Sequence, residues 1–99
     1  MAKPLTLALA KTLSPSDHLC HVRLKTRAGK LAVVRVNGEA QVWKRSPDRV
    51  RVPWKYGLYE YGAVTEADLG DWVLCRGDGE PLSDSEIAKR LLQRATKAL

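Results

Sequence analysis

From His18 to Arg76 the sequence is cut at short, even intervals by turn chemistry. The pieces between the cuts alternate apolar and polar residues with a period of two, the signature of half-buried strands. His18 to Thr26 sends Cys20, Val22 and Leu24 to one side and His21, Arg23 and Lys25 to the other. Arg27-Ala28-Gly29-Lys30 then makes a tight connection into Leu31 to Val36, a β-branched run interrupted by Arg35. Both residues of Asn37-Gly38 tolerate the positive φ of a type I′ turn, so Glu39 to Arg45 is expected to return antiparallel as the other arm of a hairpin. After Ser46-Pro47-Asp48, the segment Arg49 to Lys55 places Val50, Val52 and Trp54 inward and Arg49, Arg51 and Lys55 outward. Pro53 cannot donate to a ladder and marks an edge strand or a bulge. Leu58 to Thr65 follows the Tyr56-Gly57 turn, with Gly62 as a bulge or a site of close approach. Glu66 to Gly70 reads as a short helical turn before a last strand, Asp71 to Arg76.

About five or six short antiparallel strands make the expected fold mostly β, with a small closed or nearly closed barrel over residues 18–76 and an open meander as the alternative. Residues 1–17 are expected to form an N-terminal arm or strand. Over residues 83–99 an amphipathic helix is predicted, with Ser83 as N-cap, Glu86 completing a capping box and Leu82 with Ile87 as hydrophobic staple. Its apolar stripe is Ile87, Ala88, Leu91, Leu92 and Ala95, while Lys89, Arg90, Arg94 and Lys97 take the other face. That stripe should dock on the barrel or on a partner, a second copy of the chain included.

Charge narrows the function classes. The net charge is +6 and the pI about 9.6, which favours polyanionic partners. Its placement is uneven: Met1 to Lys55 carries 12 Lys or Arg against three acids, and the remainder five against eight. No run reaches the roughly 18 apolar residues of a membrane-crossing helix, and the opening segment is weaker than a secretory signal. Two isolated cysteines, Cys20 and Cys75, suit reduced thiols better than a disulfide framework, so the expected location is cytoplasmic or on the nucleoid.

The candidate binding residues are the outward set of the early strands: Arg23, Lys25, Arg35, Arg45, Arg49, Arg51 and Lys55, with Gln41 among them, around Trp43 as an exposed aromatic. Lys and Arg displace condensed counterions from phosphates, and an aromatic stacks on a base or wedges into a base step. Trp54 and Trp72 alternate with Val50, Val52 and Leu74 and are expected in the core. Tyr59 and Tyr61 share a face, and either extend a stacking surface or cover a barrel mouth. His18, Cys20, His21 and Cys75 have metal-ligand chemistry, but on a strand His21 opposes His18 and Cys20, so no metal is expected. No nucleophile with a base stands out, and Arg76 to Pro81 has acids where a phosphate would sit, so neither catalysis nor a cofactor is expected.

Leu24-Lys25-Thr26-Arg27-Ala28-Gly29-Lys30-Leu31-Ala32, followed by Val42-Trp43 and Lys55-Tyr56-Gly57-Leu58, resembles the opening of the small crenarchaeal chromatin proteins with an SH3-like barrel. Gly62 to Asp68 is similar to the stretch before the C-terminal helix in their seven-kilodalton relatives. The resemblance implies duplex binding in the minor groove with little sequence preference, with Lys25, Lys30 and Trp43 as DNA contacts. The chain departs from both groups by its N-terminal extension, the strand Asp71 to Arg76 and a longer tail. The resulting expectation is an SH3-like, non-enzymatic nucleic-acid-binding protein, DNA before RNA. A module that recognises an acidic protein is the rival reading.

Overall fold

The computed structural model describes residues 4–97, with side chains as far as Gln93. The side chains of Arg94, Ala95 and Lys97, assigned above to the two helix faces, lie outside the described residues. The elements in order are α1 (Leu7–Ala10), β1 (His18–Lys25), β2 (Leu31–Val36), β3 (Gln41–Trp43), β4 (Ser46–Tyr56), β5 (Glu60–Thr65), a 3-10 turn (Leu69–Asp71), β6 (Trp72–Cys75) and α2 (Asp84–Lys97). All pairings are antiparallel, in the order β3-β4-β2-β1-β6 with β5 added on β4.

The long strand β4 organises this sheet. It pairs with β5 from Arg51 to Tyr56, with β3 at Val50 and Arg51, and with β2 at Trp54 and Lys55. Pro53 sits where β4 exchanges β3 for β2, so the missing N–H falls at a break between two ladders. The Asn37-Gly38 step is not the expected hairpin: β2 and β3 are both neighbours of β4, and the only positive φ values among the described residues are at Gly29, Gly57 and Gly79. The Asn37 N–H instead donates to the Pro53 carbonyl at 2.8 Å, and the chain passes so close to Pro53 that a Cβ on Gly38 would lie 3.1 Å from its ring.

One face of the sheet carries the core. Leu19, Val34, Val36, Val50, Val52, Val64 and Leu74 are each at most 3% exposed, and each such side chain removed from water contributes roughly 1.5–3 kcal/mol. Among the described residues β5 and β6 do not pair with each other, so the sheet stays open where a closed or nearly closed barrel was expected. The N-terminal segment packs on the core side of the sheet instead. Thr6 caps α1 by accepting the Leu9 N–H, Leu5 donates to the Trp72 carbonyl, and Leu5, Leu9, Ala10 and Leu13 are buried in the same core. This segment is therefore part of the core rather than a loose arm. The helix α2 starts as its capping box requires: Glu86 N–H donates to Ser83 Oγ and Ser83 N–H to the Glu86 carboxylate. Leu82, Ile87 and Leu91 pack on the core, while Ala88 and Leu92 stay exposed.

Two expected faces are corrected. After Cys20 the register between β1 and β2 shifts, and the alternation ends there. Val22 and Leu24 are 38% and 61% exposed, while the buried residues are Leu19 and Cys20. His21 holds the irregularity, its Nδ1 accepting the N–H groups of both Arg23 and Leu24 at 3.0 Å. Arg90, expected on the solvent face of α2, reaches back to the carboxylate of Asp17, which is buried and also accepts the Ser14 N–H.

Candidate nucleic-acid interface

The opposite face of β2, β3, β4 and β5 gathers most of the expected cations, because residues paired across antiparallel strands project to the same side. One row runs Arg35, Lys55, Tyr61, and beyond Pro53 opposite Ala63 another runs Gln41, Arg51, Thr65. Arg49 is the next outward residue of β4, and its guanidinium lies 4.5 Å from the centre of the Trp43 ring. The Lys55 ammonium lies 5.7 Å from the Tyr61 ring. Arg45 is exposed in the two-residue turn from β3 to β4.

Among the described residues, Arg35, Arg45, Arg49, Arg51 and Lys55 form no ion pair with a carboxylate. Arg35 donates only to the Pro15 carbonyl, at 3.3 Å. Arg35 stands directly opposite Lys55, and like charges in that position repel, so the face carries an electrostatic cost that an anionic ligand would relieve.

Three expected contacts lie elsewhere. Arg23 is bound to Asp71 at 2.6 Å, beyond the β1 irregularity. Lys30, in the β1–β2 turn, faces a shallow depression shared with Asp78 and Glu80. Lys25 lines a different cavity, with Trp54 and Tyr56. Trp43 is half-buried beneath Arg49 rather than open, and the freely accessible rings are Tyr59 and Tyr61, 88% and 62% exposed. Their accessibility was an open alternative in the sequence, because hairpin tips and barrel mouths have the same local pattern.

On the β1–β6 side the same sheet face is sealed by the loop after β6. Arg76 N–H donates to the Glu80 carbonyl, and Gly79 and Gly77 lie against Val33 and His18. Burial pushes both thiols beneath this loop up from their usual range, and Cys75 rises to about 12, with Cys20 and Asp78 adding to the shift. These are neutral packing residues at physiological pH.

No helix of the described residues is long and apolar enough to cross a membrane. No family model, curated protein or solved structure matches this chain.

Proposed function

We propose that the protein binds nucleic acid, duplex DNA first and with little sequence specificity, through the outer face of β2, β3, β4 and β5. The observation that carries this reading is the placement of Arg35 against Lys55, flanked by Arg51 and Arg49, with no carboxylate among the described residues paired to any of them. Guanidinium and ammonium groups spaced along adjacent strands suit a row of phosphates, which position a protein on a duplex without reading its bases. Trp43 serves this arrangement by holding the Arg49 guanidinium over its ring, and Tyr61 offers a ring beside Lys55 for contact with sugar or base. The likeness to SH3-like chromatin proteins belongs to the same proposal: a bent antiparallel sheet presents a basic face while a C-terminal helix packs on the rest. The reading assigns binding and no catalysis.

The test compares two charge reversals of equal size. In fluorescence-anisotropy titrations of a labelled random-sequence duplex, Arg51→Glu weakens binding about tenfold or more, while Arg23→Glu leaves it within about twofold. Equal losses would reduce the interaction to bulk charge, and binding only to an acidic protein would transfer the face to the rival reading.

A further inference from the structure

The β1–β2 and β4–β5 hairpins end beside each other, and an open cavity of about 250 Å³ lies between them on the core side of the sheet, away from the basic face. Trp54, Trp72, Tyr56 and Val34 make it mostly apolar, and the two indoles touch, their centroids 5.9 Å apart. The volume is below the about 300–1,000 Å³ of sites for drug-sized ligands and suits a bulky side chain.

The turn of the β4–β5 hairpin, Gly57 to Tyr59, carries such side chains next to the opening. Leu58 is 73% exposed and Tyr59 88%, while Leu24, which lines the cavity from the other hairpin, is 61% exposed. Exposed apolar residues gathered around an apolar recess mark an interaction surface. This end of the molecule therefore has a projection and a recess side by side. A two-fold axis set between the two brings each projection over the recess of the other copy, which is the self-complementary geometry of an isologous contact.

Charge selects the same occupant. The charged residues lining the cavity are Lys25, on the β1–β2 side, and Glu60, on the β4–β5 side, and among the described residues neither forms an ion pair. An acidic segment of another protein would match Lys25 and oppose Glu60, and a basic segment would do the reverse. A second copy presents both signs. The axis that exchanges Leu58 and Tyr59 also turns Glu60 of each copy toward Lys25 of the other.

We infer that the protein self-associates as a two-fold dimer through this end, with Leu58 and Tyr59 of each copy seated at the cavity of the other and Glu60 paired with Lys25 across the axis. The contact leaves the outer face of β2, β3 and β4 open, so the inference stands apart from the nucleic-acid reading.

The experiment is sedimentation equilibrium of the full chain over the micromolar range, without nucleic acid, with circular dichroism showing that each variant is folded. The wild type should reach twice the mass of the 11.0 kDa chain. Leu58→Ser combined with Tyr59→Ser removes the projection and should raise the dimer Kd about thirtyfold or more. Lys25→Glu and Glu60→Lys each set like charges against one another twice across the axis, and each should weaken the dimer about tenfold. Mixed in equal amounts, these two variants place opposite charges at both contacts and should recover the wild-type association, an outcome that no effect within one chain produces. Arg51→Glu, on the outer face, should leave the association unchanged. A monomer at every concentration overturns the proposal, even one that binds an acidic peptide or anionic phospholipid vesicles. A dimer indifferent to Leu58 and Tyr59, which would pair through another surface such as α2, overturns it too, as does a mixture that associates no better than its two components. None of these outcomes bears on the phosphate face, which duplex titration tests separately.

Discussion

Six arginines among the described residues fall into two regions that differ in what faces them. On β1, after β6 and on α2, Arg23, Arg76 and Arg90 each meet a carboxylate, of Asp71, Glu86 and Asp17. On the face of β2, β3 and β4, Arg35, Arg49 and Arg51 meet a proline carbonyl, an indole and neutral cross-strand neighbours, and Lys55 stands across from Arg35. The count of cations in the first half of the chain does not distinguish these regions. Their neighbours do: the paired set closes the fold, and the unpaired set leaves charge available to a ligand.

The comparison breaks most visibly if the unpaired set is reversed. Arg49, Arg51 and Lys55 replaced together by Glu should lower duplex affinity about a thousandfold, ~4 kcal/mol, in the same anisotropy titration, the urea midpoint showing that the protein is still folded. The paired set should behave in the opposite way. Arg90→Ala strands the buried Asp17 carboxylate and should cost about 3 kcal/mol in urea unfolding, while duplex affinity of the folded protein stays within about twofold.

Gly62→Ala sharpens the contrast from inside. The added Cβ would displace the Trp54 ring, and the expected cost is about 2 kcal/mol in unfolding, with loss of the cavity and retention of phosphate binding. The sealed side should answer to alkali alone. With the Cys20 and Cys75 thiols raised in the folded state, unfolded thiols ionise first, so the stability present at neutral pH falls as the pH climbs from about 8.5 toward 12. Unfolding midpoints followed at pH 7, 9 and 10 read this directly, and replacing Cys75 by Ala should flatten the decline.

Much of the fold follows from local chemistry. The inward series Val50, Val52, Trp54, the capping box of Ser83 and Glu86 and the turn at Gly29 all occur where neighbouring residues in sequence require them, and Gly62 marks a close approach, by Trp54 of the adjacent strand. The misread elements depend on distant partners. The period of two in β1 predicted Val22 and Leu24 inside, but β1 pairs with β6 through His21 and loses its register with β2 after Cys20, so the alternation runs out there. Asn37-Gly38 has the composition of a hairpin turn, yet the Pro53 carbonyl draws the Asn37 N–H and β2 and β3 follow one another along the same edge of β4. Asp17 reads as a turn residue, and nothing near it in sequence announces Arg90.

The candidate site was legible in the same measure. Arg35, Arg49, Arg51 and Lys55 share a face because outward positions on adjacent strands must, whatever the strand order. Arg23 left that set with the β1 irregularity, and Trp43 is shielded by the arginine two residues before Arg51. The cavity was hidden because Trp54 and Trp72 have the pattern of core residues, and a core residue differs from a wall only by the empty space beside it.

The central claim is that four unpaired cations on one face contact phosphates, and the salt dependence of duplex binding tests it most directly. Four such contacts predict a slope of log affinity against log salt of about −3.6, falling in magnitude by about one in Arg51→Glu and not at all in Arg23→Glu. A slope near zero, or the same slope in all three proteins, would contradict the account.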